Sequence, residues 1–202
     1  NPEEVATIKA WHRDKKKVLD FYNDTRRSFR AAHVAPNAAH RALATLEKKY
    51  DGEVTVVTQN IDPLHEMAGS RRVLHMHGRD GEIRCMKCST VFESDEDLSP
   101  QSVCESCKAV GELRPNIVWF GEMPQHMAEI NDVLDRCGLF VAIGTSGEVY
   151  PAAGFVLQVR RHRPRARTVE LNLEPSSNQN LFAEHINGPA TKRSEEHTSE
   201  LQ

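Results

Sequence analysis

The sequence predicts an α/β fold in which a doubly wound parallel sheet carries a small metal-stapled insertion. Two observations indicate this fold. Apolar or β-branched runs alternate with helical periodicity and are followed by polar or glycine-rich loops, an order typical of doubly wound sheets. In addition, four of the five cysteines form two Cys-x-x-Cys pairs within a stretch of little apolar periodicity.

Length and composition exclude several classes of protein. The 202 residues are 39% hydrophobic and 27% charged, which is ordinary for a globular chain. No stretch approaches the roughly 18 apolar residues of a membrane helix, and residues 1–4 lack the pattern of a signal peptide. The net charge of −3 gives no general reason for nucleic-acid binding. We therefore expect a cytoplasmic protein without nucleic-acid or membrane partners.

The first fifty residues predict two helices, because apolar residues recur there at helical spacing among charged ones. The apolar positions of the first helix are Ile8, Trp11, Val18, Phe21 and Tyr22. The second helix is predicted to begin at Pro36, since proline suits the first helical turn. Its apolar side consists of Ala38, Ala39, Leu43 and Leu46.

Four strands are predicted after these helices. Residues 54–58 and 73–76 are rich in β-branched or apolar side chains, and 168–173 shares this character. The run 139–143 is continuously apolar, which favours a place at the centre of a parallel sheet. An amphipathic helix is predicted over 150–161, between the last two strands.

Three polar loops follow predicted strands, where doubly wound folds bind their ligands. Their amides, hydroxyls and carboxylates suit ribose hydroxyls and a carboxamide. The loop residues are Gln59, Asn60, Ile61 and Asp62; Gly144, Thr145 and Ser146; and Asn172, Leu173 and Glu174.

The pattern Cys85-x2-Cys88-x15-Cys104-x2-Cys107 predicts a zinc site. Two Cys-x-x-Cys turns supply the four thiolates that tetrahedral zinc prefers, and a closed set of four thiolates indicates a structural ion. Two redox pairs are the alternative, but neither pair opens a helix after a strand. Cys137 is then expected to be an inert core thiol.

The segment His75-Met76-His77-Gly78 ends a predicted strand and offers a candidate base. Histidine exchanges protons near neutral pH, and the following glycine leaves backbone room for a ligand. Each histidine could equally be a satisfied core or surface residue. The strand alternation places both on the same side, so it does not choose between them.

Taken together, these motifs resemble the sirtuins, and most closely the bacterial and mitochondrial class III deacylases. The resemblance includes the four cysteines and covers about residues 54–190 in the order of the family. Its motifs are Thr58–His65, Ala68–Gly69, His75–Gly78, Leu113–Glu122, Gly144–Ala153 and Asn172–Ser176.

The resemblance implies a Rossmann-like, doubly wound parallel sheet with a zinc-ribbon insertion. Residues 1–81 and 121–192 would form the NAD-binding catalytic domain, and 82–120 the zinc ribbon with a substrate-binding segment. The ten residues 193–202 have no apolar face and are predicted to be an artefactual tail.

The resemblance also implies NAD-dependent removal of acyl groups from protein lysines, with structural Zn²⁺. The acyl oxygen would displace nicotinamide from NAD, and a histidine would take a proton from a ribose hydroxyl, giving O-acyl-ADP-ribose. The family base is the histidine before glycine, here His77, and Asn60 is the second catalytic residue. The implied NAD-binding residues are Gln59, Asn60, Ile61, Asp62, Gly144, Thr145, Ser146, Asn172, Leu173, Glu174 and Ala190.

For the substrate, the resemblance implies a strand, Val118-Trp119-Phe120, that pairs with the acylated peptide by β-addition. Plain core packing is the alternative for Trp119 and Phe120. Enzymes of this class that remove succinyl or malonyl groups carry Tyr-x-x-Arg on a helix.

Two departures from the family pattern stand out. Tyr22 matches the tyrosine of Tyr-x-x-Arg, but Thr25 occupies the arginine position and Arg26 follows one residue later. A core aromatic and a solvated charge are the alternatives for Tyr22 and Arg26. The family's Gly-Ala-Gly-x-Ser phosphate loop is also absent, since no glycine precedes Gly52, so we expect a chain truncated at its N-terminus.

Two other functions are weighed against the deacylase. A non-enzymatic zinc-ribbon binding module on an α/β scaffold shares the cysteines but does not require the three loops and His77. A nicotinamide-dependent oxidoreductase is disfavoured because the chain contains no Gly-x-Gly-x-x-Gly fingerprint.

Overall fold

Helices form the first part of the chain in the computed structural model, which describes residues 2–31 and 33–191. The side chain of Thr7 caps the first helix, and the carboxylate of Asp14 caps the second by accepting a hydrogen bond from the backbone of Lys17. The predicted tail, 193–202, lies outside the described residues. The three helices are α1 (Ile8–Arg13), α2 (Lys15–Phe29) and α3 (Ala38–Lys49).

The cap at Asp14 splits the single predicted helix in two, and the buried face of α2 differs from the predicted one. Val18 and Tyr22 are buried as predicted, but Phe21 is 46% exposed. Since one residue is about a 100° turn on a helix, Phe21 cannot share the face of Tyr22. Asn37, whose side chain caps α3, moves the start of that helix from Pro36 to Ala38.

Two short strands and a helix follow, namely β1 (Val56–Thr58), α4 (Leu64–Ala68) and β2 (Val73–His75). β1 and β2 form a two-stranded sheet. The strand predicted to reach Met76 ends one residue earlier, because Gly78 N–H donates to the carbonyl of His75 and closes a turn. His77 therefore lies in a turn and not on a strand.

The cysteine-rich stretch folds as a three-stranded antiparallel sheet in the order β4-β3-β5. α1 and α2 pack on this sheet, and their shared core includes Trp11, Leu19, Ile83 and Leu113. The strands are β3 (Glu82–Cys85), β4 (Val91–Glu93) and β5 (Leu113–Pro115).

The last part of the described chain is a parallel sheet with two helices. Its strands pair in the order β6-β7-β8. β6 was predicted for the sheet centre but lies at an edge of the described sheet, and the central, buried strand is β7. The elements are α5 (Met127–Arg136), β6 (Leu139–Ile143), α6 (Phe155–His162), β7 (Arg167–Asn172) and β8 (Glu184–Asn187).

The chain divides into two compact units. The ribbon unit comprises Asn1–Ala35, Val57–Met67 and Val73–His126, and the sheet unit comprises Pro36–Val56, Ala68–Arg72 and Met127–Gln202. Domain boundaries at residues 82 and 120 remain a prediction. No helix within the described ranges is both long and apolar enough to cross a bilayer.

Candidate active site

The four cysteines of the ribbon unit come together as predicted. The Sγ atoms of Cys85 and Cys107 are 3.7 Å apart, and those of Cys88 and Cys104 are 3.8 Å apart. All four sulfurs lie within 4.8 Å of one another and none is in a disulfide. Sulfurs bound to one tetrahedral zinc at about 2.3 Å are about 3.8 Å apart, so the residues present fit a zinc ion.

Both Cys-x-x-Cys turns have the same backbone geometry. Ser89 N–H donates to the carbonyl of Cys85, and Lys108 N–H donates to that of Cys104, each at 2.9 Å. Ser89 and Lys108 adopt positive φ angles of 60° and 59°. This repeated turn directs both thiols of a pair to one point. Cys137, outside the cluster, is half-buried, and burial raises the pKa of its thiol, as expected for an inert residue.

The two histidines of the His75–Gly78 segment have different environments. His77 is half-buried, and its Nδ1 lies 3.0 Å from the carbonyl oxygen of Gln59. A carbonyl only accepts, so Nδ1 carries the proton and the lone pair is on Nε2. Burial lowers the pKa of His77, although the bond to Gln59 opposes this shift. His77 is therefore neutral near pH 7 and able to accept a proton at Nε2.

His75 is buried and has both ring nitrogens engaged. Its Nδ1 lies 3.1 Å from the Asn60 carbonyl oxygen, and its Nε2 lies 2.7 Å from Glu66 Oε1. Neither nitrogen is left to act as a base. The geometry thus separates the two candidates in favour of His77, which the alternation of the strand could not do.

Gly78 fits a place where no side chain can enter. Its φ angle is +84°, and an added Cβ would lie 2.0 Å from the carbonyl oxygen of Asn116. The space beside this glycine was predicted to be room for a ligand, but the backbone of Asn116 and Ile117 fills it. Gly78 instead allows the turn after β2 to pack against that backbone, which positions His77.

In the sheet unit, two of the predicted loops follow the carboxyl ends of adjacent strands and bond to each other. Asn172 Nδ2 donates to the carbonyl of Thr145 at 2.7 Å, and the backbone N–H of Ser177 donates to that of Ser146 at 2.9 Å. Ser146, Leu173 and Glu174 are exposed.

A further predicted residue, Ala190, follows β8, the next strand of the same parallel sheet. Gly144 and Gly188 begin the loops after β6 and β8, Asn172 is the last residue of β7, and Gly188 N–H donates to the carbonyl of Asn172. All the predicted residues of the sheet unit therefore lie at one edge of one sheet, where parallel α/β sheets bind ligands.

Tyr22 and Arg26 are buried and already have partners. Tyr22 accepts a hydrogen bond from the indole N–H of Trp119, and burial raises its pKa to about 12. The Arg26 side chain is 2% exposed and donates to Asp80 and to the carbonyl of Glu96. This geometry favours structural roles for both, although Arg26 forms a buried ion pair and is not the solvated charge of the alternative.

The Val118–Phe120 segment is not a strand. Val118 N–H donates to the carbonyl of His77, and Phe120 N–H donates to that of Ala6. The N–H of Trp119 donates to the Glu122 carboxylate. The backbone N–H groups of all three residues are therefore engaged, and the Trp119 carbonyl accepts from the N–H of Glu122. Trp119 is a core residue, whereas Phe120 is 63% exposed.

One buried ion pair was not predicted from the sequence. The buried Arg114 donates to both oxygens of Glu122 at 2.8 Å, and its guanidinium lies 3.7 Å from the centre of the Trp119 ring. This ion pair fixes the bend that exposes Phe120. Arg114 and Glu122 lie within a recognised motif, but nothing in their spacing indicates that they pair.

The structure combines a parallel α/β sheet, whose polar loops lie at its carboxyl edge, with a ribbon that fits zinc. These features define the class of zinc-ribbon α/β proteins, and His77 is the candidate base. The profile of the Sir2 family matches residues 1–151. A Trypanosoma brucei brucei protein named "NAD-dependent protein deacylase SIR2rp3" is 51% identical, over 94% of this chain and 78% of that protein. The chain belongs to the Sir2 family.

Two further proteins are similar over most of their length. The "NAD-dependent protein deacylase" of Vibrio cholerae serotype O1 is 48% identical, over 94% of this chain and 76% of that protein. The crystal structure of a Sir2 homologue in complex with NAD superposes with a TM-score of 0.87 at 30% identity, covering 100% of this chain and 77% of that one. The predicted fold and family are therefore confirmed.

Proposed function

We propose that this chain is an NAD-dependent protein-lysine deacylase. The observation that carries the proposal is His77, a half-buried neutral imidazole whose Nδ1 is committed to Gln59 and whose Nε2 can accept a proton. The names of its relatives and the NAD complex of a structural neighbour support the same reaction.

The residues of the ribbon unit would carry out the chemistry. NAD, when bound, supplies the electrophilic sugar carbon and the ribose hydroxyl. His77 would take the proton from that hydroxyl at Nε2, and its contribution to the rate would be about 100- to 10,000-fold. Asn60, whose side chain is exposed, would bind and orient the nicotinamide end, with Gln59, Ile61 and Asp62 around it.

The residues of the sheet unit would hold the adenosine half of NAD. The hydroxyls of Thr145 and Ser146 and the carboxylate of Glu174 suit ribose hydroxyls, and the backbone of Gly144, Asn172, Leu173 and Ala190 shapes the edge around them. Structural zinc would fold the ribbon and take no part in the reaction, since four thiolates leave no open coordination position.

The substrate would be an acylated lysine on a protein, and the products would be free lysine, nicotinamide and O-acyl-ADP-ribose. The exposed ring of Phe120 offers an apolar contact for the peptide, and Val118 and Trp119 would belong to the same substrate-binding segment. A cytoplasmic location remains a prediction of the sequence.

Neutral acyl groups such as acetyl fit the structure best. A succinyl or malonyl carboxylate requires a cation, but Arg26 is bound to Asp80 and Glu96, and Thr25 donates to the carbonyl of Phe21. Desuccinylation and demalonylation are the second candidate activities. They require Arg26 to release Asp80 and to form an ion pair with the acyl carboxylate of the substrate instead.

The test is mass spectrometry of acetyl-lysine and succinyl-lysine peptides incubated with NAD and the full-length protein. We expect deacetylation to exceed desuccinylation, and Arg26→Met to reduce both by the same factor. Arg27→Met, which removes two exposed ion pairs on the same helix, to Asp24 and Asp97, is the matched control. A selective loss of desuccinylation in Arg26→Met would instead place Arg26 against the acyl carboxylate.

A further inference from the structure

His75 is held from two sides by oxygen atoms. The Asn60 carbonyl lies 3.1 Å from Nδ1, and Glu66 Oε1 lies 2.7 Å from Nε2. A carbonyl and a carboxylate both accept hydrogen bonds and donate none. His75 satisfies both only when both nitrogens carry protons, that is, as an imidazolium. Its side chain is 6% exposed, so water cannot readily replace either partner.

The charges around His75 favour the same protonation state. Burial lowers the pKa of His75, but the hydrogen bonds to Glu66 and Asn60 outweigh burial, so the net shift is upward. Arg79, the other charged group near the ring, opposes the shift without reversing it. For Glu66, burial raises the pKa, but the bond to His75, a backbone hydrogen bond and the charges of His75 and Arg79 together lower it below the ordinary value, so the carboxylate is ionised at neutral pH.

This cation fixes the backbone of Asn60. The N–H of Asn60 donates to Thr58 Oγ1 at 3.0 Å, and its carbonyl accepts from His75. The Asn60 side chain is exposed, and no residue in the described part of the chain bonds its amide. A fixed backbone with an unbound side-chain amide is preorganised for a ligand, which reduces the ordering cost of binding.

We infer that His75, held as an imidazolium by Glu66, is a positioning residue that fixes the Gln59–Asp62 loop for the nicotinamide end of NAD. The inference rests on the proposed function, in which this loop faces nicotinamide. His75 differs in role from His77, which has one acceptor and stays neutral. The two neighbouring histidines thus serve as a fixed cation and a base.

The test compares the affinities of the full-length protein for NAD and for ADP-ribose, which lacks nicotinamide, by calorimetry. His75→Phe keeps a ring but removes both hydrogen bonds. We expect it to weaken NAD binding about tenfold, the effect of losing a charge-assisted hydrogen bond, and to leave ADP-ribose binding unchanged. His12→Phe, the same substitution at an exposed position of α1, should bind both ligands as the wild type does.

Glu66→Gln keeps the shape of the pair but removes the charge that holds the imidazolium. It should weaken NAD binding severalfold with ADP-ribose binding unchanged, and this result supports the inference even where His75→Phe fails to fold. Equal weakening of both ligands, or unchanged NAD binding, overturns the inference and leaves the proposed function standing if the wild type deacylates. A wild-type protein that binds neither ligand overturns both.

Discussion

At the scale of single residues, the proposed reaction depends on the tautomer of His77. The Gln59 carbonyl accepts from Nδ1, so only Nε2 can receive a proton. We expect His77→Ala to reduce deacylation about 100- to 10,000-fold while zinc content stays unchanged, measured by steady-state kinetics and by metal analysis. His75→Ala should reduce kcat less. Near-normal turnover by His77→Ala would show that another group is the base.

The pH dependence of the reaction follows from the lowered pKa of His77. A base must be deprotonated, so activity is lost as pH falls through the pKa, and burial moves that pKa below the ordinary value of 6.5. We expect the acidic limb of kcat/KM, which reports on the free enzyme, to have its midpoint below pH 6.5. In His77→Ala that limb should disappear from the residual activity. An acidic limb centred above this value would contradict the assignment.

The role of a residue was predictable where the sequence spacing determines it. It was not predictable where the role depends on a contact with a residue far away in the sequence. The four cysteines are close in sequence within each pair, so their convergence could be predicted. The choice between His75 and His77 depends on Glu66 and on two loop carbonyls, whose positions require the folded chain. The burial of Arg26 likewise depends on Asp80, 54 residues away.

At the scale of elements, the zinc ribbon is expected to fold only with its metal. Zinc binding contributes folding free energy directly in closed thiolate sites. Cys104→Ser, which removes a ligand with no exposed surface, should give insoluble or unfolded protein. Cys137→Ser, outside the cluster, should remain folded and retain zinc. Atomic absorption and circular dichroism measure both properties, and a folded, active, zinc-free Cys104→Ser protein would disprove the structural role.

The turn after β2 should tolerate no side chain at Gly78. An added Cβ would meet the Asn116 carbonyl at 2.0 Å, whereas at Gly81, with a similar φ of +89°, it meets nothing within 4 Å. Gly81→Ala therefore reports the backbone strain alone, about 1 kcal/mol. We expect Gly78→Ala to lower the free energy of unfolding by about 3 kcal/mol or more, since clash adds to strain. If urea denaturation gives the same decrease in the free energy of unfolding for Gly78→Ala and Gly81→Ala, the backbone of residues 116–117 moves aside easily.

Element types were predictable, but their ends and neighbours were less so. The run Leu139–Ile143 is a strand with the predicted ends, because five consecutive apolar residues leave little ambiguity. The prediction that this strand is central was wrong for the described sheet. A continuous apolar run does not indicate which strand of a sheet has a neighbouring strand on both sides. The capping side chain of Asp14, a local feature, divides α1 from α2, and Phe21 is exposed because it lies about 100° from the buried Tyr22 on α2.

At the scale of the whole molecule, family membership was predictable because the motifs occur in a fixed order along the chain. The profile match over residues 1–151 and the relative at 51% identity agree with that order. The acyl preference was not predictable from the sequence. Thr25 stands where desuccinylating relatives have arginine, and the sequence does not show whether the side chain of Arg26 takes the place of that arginine. The contacts of Arg26 with Asp80 and Glu96 require the folded chain and could not be predicted from the sequence.

The central claim is that lysine deacylation is coupled to cleavage of NAD. The most direct test quantifies nicotinamide, free lysine and O-acetyl-ADP-ribose by mass spectrometry, after an acetyl-lysine peptide reacts with NAD and the full-length protein. We expect equal amounts of all three products, and none when NAD is omitted. Lysine freed without NAD, or NAD consumed without lysine being freed, would contradict it.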